Sequence, residues 1–251
     1  MIRVPESLEK NTIIATTFET RFRSNHPNVG DLLPGLLYHT VGKKFPKIMP
    51  LPLSQVPAHV RAVNAEIAAQ PTQSLHGPTG QLLIGNQLVG LARTPYPGWN
   101  AFRPEVLEII EALKSTGLIN SIERLSLRYV NVINEGIDAF DLNQLRISVS
   151  LGELSLKREG FATRAEVEQD ECTGIVDIRT GGNVTVTSQG VSKSSSGVLV
   201  SIDAVWSPPG DDTWDALPDG LEKIHTVAKT LFFELLTPET LSKLGPRWSP
   251  Q

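Results

Sequence analysis

A few arginines, one histidine and one aromatic turn are the residues whose types and spacing suit binding chemistry. Arg21 and Arg23 stand two apart on one alternating segment, and Arg124 and Arg128 stand four apart on another. A guanidinium fork holds a phosphate or carboxylate through parallel N–H bonds, so arginines gathered on one face would form an anion site. The same arginines read equally as an ion-paired or solvated strand face. His225 borders the apolar stripe of a C-terminal helix, where an imidazole can take a ligand or a proton, or sit satisfied at the helix edge. Tyr96, Trp99 and Phe102 place three rings within seven residues. Such a cluster serves as a stacking platform or partner anchor, or staples its own loop to the core. The ligand-binding candidates are therefore Arg21, Arg124, Arg128 and His225, and the partner-binding candidates are Tyr96, Trp99 and Phe102.

Signatures of covalent or metal catalysis are missing. The chain has no G-x-S-x-G elbow, no H-E-x-x-H, no P-loop and no G-x-G-x-x-G. The run Ser194-Ser195-Ser196-Gly197 has no base placed beside it and reads, within Ser192 to Gly197, as a hairpin tip. Cys172 follows Asp170 and Glu171, whose charges disfavour a thiolate. The five histidines, at 26, 39, 59, 76 and 225, lack metal-ligand spacing. No catalytic residue, metal or cofactor is expected.

Composition narrows the class further. The 251 residues suffice for one large domain or two small ones. A hydrophobic fraction of 40% and a charged fraction of 20% are those of a globular chain rather than a disordered one. A net charge of −4 argues against a nucleic-acid binder, which carries a basic excess. One cysteine leaves no internal disulfide. No window has the length and apolarity of a membrane span, and the first ten residues lack the apolar core of a secretory signal. Cytoplasmic residence is the expectation.

The elements that must position these residues follow from periodicity. Ile14 to Phe22 alternates as a strand. Leu32 to Val41 reads as a short helix interrupted by Pro34 and Gly35. The stretch from Phe45 to Pro52 is too proline-rich for regular structure. Val56 to Ala69 reads as a helix, and Leu82 to Ile84 with Leu88 to Ala92 as a hairpin about Gly85-Asn86-Gln87. After the stiff turn Pro95 to Gly98 a helix runs to about Ser115, with Val106, Ile109, Ile110 and Leu113 on one face. A strand follows from Ile122 to Ile133. This order, βαββαβ, is that of a ferredoxin-like split βαβ unit.

The second half reads as an antiparallel meander. Its strands are Leu145 to Leu156, Phe161 to Gln169, Ile175 to Ile178, Val184 to Thr187 and Val198 to Trp206, with a turn at Gly181-Gly182-Asn183. A long helix with Leu221, Ile224, Ala228, Leu231, Phe232 and Leu235 inward then starts from a capping box at Asp219 and Glu222. Thr237-Pro238-Glu239 opens a short helix that Gly245-Pro246 ends. The expectation is an α+β chain of two halves, 1–135 and 136–251 with the link at Gly136 to Gln144, packed as one domain or two.

The residues Phe45-Pro46, Tyr96-Pro97-Gly98-Trp99, Phe102-Arg103-Pro104 and Glu123 through Asn131 resemble a family of similar length found sporadically in bacteria and archaea. His225 and Leu235-Leu236-Thr237 also look like that family. It has no function assigned as a whole, so the resemblance implies no catalytic residues. Its patchy distribution implies a bacterial accessory or defence setting. Joined with the missing catalytic motifs, this gives a non-catalytic protein- or ligand-binding module as the expected function. Its expected partner is another protein or a second copy. The alternative is a small-molecule or nucleotide-binding sensor or enzyme using the strand arginines. An RNA or single-strand binder using the aromatic turn ranks third because of the acidic balance.

Overall fold

The computed structural model describes residues 3–134, 138–188, 191–210 and 214–248. Part of the link at Gly136 and the residues Asp211 and Asp212 lie outside the described residues. In chain order the elements are β1 (Ser7–Leu8), β2 (Ile13–Arg23), α1 (Val29–Val41), β3 (Lys47–Pro50), α2 (Ala58–Ala62), α3 (Ala65–Ala68), β4 (Gln73–Gly77), β5 (Gly80–Ile84), β6 (Leu88–Arg93), α4 (Trp99–Ser115) and β7 (Ser121–Ile133). Then come β8 (Val149–Leu151), β9 (Leu154–Leu156), β10 (Ala162–Gln169), β11 (Cys172–Ser188), β12 (Val191–Trp206), α5 (Leu217–Leu235), α6 (Pro238–Lys243) and β13 (Pro246–Arg247). The protein is thus mixed helix and strand, with antiparallel pairing and a long C-terminal helix.

Contacts gather into two compact units, each discontinuous in sequence. The first comprises Met1–Ala15, Arg128–Val205 and Lys223–Gln251; the second comprises Thr16–Leu127 and Trp206–Glu222.

In the second unit the strand order is β7-β2-β6-β5-β4-β3. Antiparallel registers set Phe18 opposite Leu91, Leu91 opposite Leu82 and Leu82 opposite Leu75. Opposed residues share a sheet face, so these four side chains form one row. All four are fully buried. Each such burial contributes about 1.5–3 kcal/mol. α1 packs over β4, β5 and α4, burying Leu33, Pro34, Leu37 and Val41. α4 buries the expected face of Val106, Ile109, Ile110 and Leu113.

Several expectations for this unit are corrected. α1 runs unbroken through Pro34 and Gly35. Tertiary packing of its apolar face outweighs the local cost of those two residues. The proline-rich stretch includes the edge strand β3, a position where proline's missing N–H is tolerated. The helix expected over Val56 to Ala69 is two short helices broken at Asn64, whose side chain caps the second. β4 was not evident from its short sequence. α4 begins at Trp99, so Pro104 lies inside the helix rather than at its opening. Gly98 precedes it at φ +89°, a conformation L side chains rarely adopt.

In the first unit the order is β10-β11-β12-β7, joined antiparallel by β11 to β10 and β12. α5 covers one face: a Cβ on Gly174 would sit 2.3 Å from Leu231 Cδ1, so a larger residue there would displace the end of that leucine side chain. Three expectations are corrected here as well. Gly181-Gly182-Asn183 is not a turn but an irregularity inside the single strand β11, between Arg179 and Gly182. Residues 192–197 are not a loop tip; they lie in β12, where Ser194 Oγ and Thr185 Oγ1 stand 2.9 Å apart. Leu145 to Leu156 gives the small hairpin β8–β9 instead of one long strand.

The long helix starts at Leu217, which places Asp219 in its first turn instead of at a cap. α6 forms as expected, with Thr237 Oγ1 accepting from the Thr240 N–H at 3.2 Å.

Candidate functional site

β2 and β7 hold the arginines by strict alternation, and each arginine meets a carboxylate. Arg21 Nε donates to Glu19 Oε1 at 2.9 Å, and Arg124 Nη2 donates to the same oxygen at 3.3 Å. Arg21 and Arg124 therefore converge, but on a glutamate of their own sheet face. Arg23 pairs with Glu123. In the first unit Arg128 Nη2 donates to Asp203 Oδ2 at 2.9 Å.

His225 stands apart from Arg128. Its Nδ1 lies 3.0 Å from the Tyr129 hydroxyl. Tyr129 and Arg128 are successive residues on β7, so they point to opposite faces of the sheet. Burial, with the like charge of Lys229 one turn on, lowers the His225 pKa from 6.5 to about 4. The imidazole is thus neutral and packed between helix and strand. Burial likewise pushes the Cys172 thiol up to about 11, against the partial opposition of Lys223 and with the help of nearby carboxylates. A thiol at that value is inert as a nucleophile at neutral pH.

Within the aromatic turn Tyr96 and Trp99 are half-buried and Phe102 packs inward. Phe102 is fully buried, and Tyr96 meets it edge to face with ring centroids 6.1 Å apart. Phe102 is a core residue and is closed to a partner.

Convergent polar groups occur elsewhere in the second unit, in an open cleft of about 700 Å³. It lies where β2 ends, α1 begins, the β5–β6 turn passes and α2 arrives. Arg23, His26, Asn28, His59, Arg61 and Glu123 are among its lining residues. The loop beneath is held by side-chain bonds. Ser24 Oγ donates to the Leu118 carbonyl at 2.7 Å, and the Asn25 N–H donates to Asn120 Oδ1 at 2.7 Å. Asn86 Oδ1 accepts from the Gly30 N–H at 2.8 Å, so a side chain from the hairpin turn caps α1. A Cβ on Gly30 would fall 2.7 Å from that oxygen, and the close approach requires glycine.

This cap leaves the Asn28 amide without a capping role. His26, Asn28 and His59 make no side-chain hydrogen bond among the described residues. Arg61 lines the cleft and makes one bond through Nη1, 3.2 Å to the Leu53 carbonyl. The lining thus carries two guanidiniums and two imidazoles against one carboxylate, Glu123, which Arg23 already holds. That balance favours an anion. Among the described residues no cluster of His, Cys, Asp or Glu could hold a metal ion.

Removing the cap tests the scaffold of the cleft. Asn86→Ala is expected to lower stability by about 1 kcal/mol, the usual value of a lost helix cap. Urea unfolding would show this as a lower midpoint with unchanged slope. An unchanged midpoint would mean that water satisfies the Gly30 N–H equally well.

Of the cleft residues, only Arg23 stood out in the sequence. His26 and Asn28 look like a strand break, Asn86 like an ordinary turn residue, and His59 and Arg61 like the solvated side of a helix. Spacing carries no signal that these segments meet. No known protein-family profile matches the chain, and no curated protein does so significantly. No helix among the described residues is long and apolar enough to cross a membrane.

Proposed function

We propose that the protein is a non-catalytic ligand-binding module whose cleft takes a small anion carrying phosphate or carboxylate groups. The observation that carries this reading is the convergence of Arg61, His59, His26 and Asn28 on one cleft with their donor capacity largely unused. Ser24 Oγ, a hydroxyl lining it, donates to the Leu118 carbonyl and not to either imidazole of the lining. Binding rather than turnover fits that arrangement.

Cytoplasmic residence and a bacterial accessory or defence setting complete the proposal. Strand order β7-β2-β6-β5, with α1 and α4 on one face, supports reading the second unit as a ferredoxin-like core. In that reading β3, α2, α3 and β4 form an insertion, and the insertion brings His59 and Arg61 to the cleft.

The test is a thermal-shift and calorimetric screen with inorganic phosphate, pyrophosphate and citrate at low ionic strength. A ligand at about a hundred times its Kd stabilises a native state by about 2.7 kcal/mol. Arg61→Ala and His59→Ala are each expected to weaken binding by about tenfold or more, a typical loss for one charge-assisted bond. Arg128→Ala, in the other unit, leaves binding unchanged. Absence of any shift, or a shift that survives both cleft substitutions, rejects the proposal.

A further inference from the structure

We infer that the outer edge of β10 pairs with the same edge of a second copy of this chain, making a two-fold dimer with Ala165 on its axis. β10 ends the strand order β10-β11-β12-β7, so one side of its backbone has no strand partner among the described residues. The strand is eight residues long and contains no proline. Its pairing with β11 runs from Ala162 to Gln169 without a register shift. Its residues are mostly exposed, including the apolar Val167 at 40%. Natural sheets blunt such edges with proline, bulges or a covering loop, because an open row of N–H and C=O groups is a template for another strand. Among the described residues β10 carries neither a proline nor a register shift. Its charges are of both signs, so they select a partner instead of excluding all partners.

The charges also select the register. Two identical antiparallel strands related by an axis normal to the sheet must place one residue opposite its own copy. Opposed residues then share a face. With Ala165 on the axis, Arg164 faces the copy's Glu166, and Glu166 faces the copy's Arg164. Thr163 faces Val167, and Glu168 faces Ala162. Shifting the axis to Arg164 or Glu166 sets like charges against each other, and shifting it to Val167 opposes Glu166 with Glu168 twice. Among the registers that oppose charged residues of β10, only the Ala165 register opposes no like charges: it sets Arg164 against the copy's Glu166 twice, whereas the Glu166 axis, which also sets Arg164 against Glu168, opposes Glu166 to its own copy. Arg164 already leans toward Glu166 within its own strand at 3.6 Å and toward Asp177 at 3.3 Å. Both pairs are exposed, so exchanging the first for its symmetry mate costs little. The edge strand of the second unit, β3, has Pro46 before it and Pro50 within it, which limits pairing there.

A seven-residue strand contact is small beside a standard protein interface, so the dimer is reversible, with Kd in the range of about 10–100 µM. Sedimentation equilibrium over about 1 to 200 µM reads it directly. Arg164→Glu and Glu166→Arg, singly, oppose like charges at both symmetry-related positions and are expected to weaken the dimer by about tenfold or more. The double exchange restores complementarity and returns the wild-type Kd, although it too lacks the Arg164–Asp177 pair.

Ala165→Cys supplies an independent readout. Directly opposed Cα atoms stand about 4.5–5.5 Å apart, within disulfide reach. Mild oxidation should therefore give a covalent dimer, while the native thiol of Cys172 stays buried. A monomer throughout the concentration range overturns the proposal, whatever other strand the edge accepts. So does a dimer indifferent to the single charge reversals, or a double exchange that fails to restore it.

Discussion

Replacing Glu105 with alanine is expected to destabilise the protein by about 3 kcal/mol, because it leaves a buried guanidinium without its counter-charge. Arg93 ends β6 with its side chain only 7% exposed. Its Nε donates to Glu105 Oε2 at 2.9 Å and its Nη2 to Oε1 at 2.7 Å, a two-pronged pair. Nη1 donates to Thr79 Oγ1 at 2.9 Å, and the fork lies over the Phe45 ring, 5.0 Å from its centroid. Every edge of the guanidinium is thus committed within the fold. Breaking a buried pair from one side costs about 3–5 kcal/mol, and the low end applies because Glu105 keeps about a quarter of its side chain in solvent.

Arg93→Met is the informative partner. It removes the charge, keeps an unbranched side chain over Phe45, and leaves Glu105 able to hydrate. Its expected cost is smaller, about 1–2 kcal/mol. The double variant Arg93→Met with Glu105→Leu should recover part of the loss of Glu105→Ala, since no charge is then buried. Guanidinium unfolding at constant slope measures all of these. If Glu105→Ala costs under about 1 kcal/mol, water reaches Arg93 and the pair is no structural link between α4 and the sheet.

The second large effect is a loss of stability on acidification that traces to His225. Burial holds its pKa near 4 in the folded chain, against 6.5 for the ordinary group. Above pH 6.5 both states are neutral there, and the packed imidazole contributes fully. Below that value the unfolded chain takes up a proton that the folded chain refuses until about pH 4. Stability therefore falls by up to about 1.4 kcal/mol per pH unit across that window, on the order of 3 kcal/mol in all.

Carboxylates also titrate toward the acid end, so the contribution of His225 is the difference in slope between wild type and His225→Gln. The variant should show a nearly flat profile from pH 6.5 to 5, where the wild type already declines. Superimposable profiles would show that the imidazole accepts its proton in the fold, through rearrangement around Tyr129 or Lys229. That outcome would also return His225 to the list of groups able to handle a ligand's proton.

Much of the local structure was legible before any fold was known. Alternation in Arg124 to Tyr129 marked β7, and the i, i+3, i+4, i+7 stripe from Val106 to Leu113 marked the buried face of α4. Both signals are strong because burial repeats with the geometry of the element. Glycine signals were weaker guides. Gly181-Gly182-Asn183 has the composition of a turn, yet the strand continues through it with Gly181 at φ +61°. Local freedom to reverse direction does not say whether the chain does so; the partner strand β12 decides. The same holds for Ser194 to Gly197, whose small residues suit a loop but pair in register with residues 182–185.

By itself, then, the sequence determined the helices with wide apolar stripes, the alternating strands, the α+β class and the absence of a nucleophile motif. These follow from side-chain type and period along a short stretch. Only the tertiary structure decided which charges meet. Glu19 holds two of the arginines that looked like an anion grip, Asp203 holds Arg128, and Tyr129 turns His225 away from Arg128. It also carried His59 and Arg61 to the loop at His26 and Asn28. Partner choice depends on strand register and on which segment an insertion delivers to a given edge. Those contacts join residues far apart in the chain, and no local spacing encodes them.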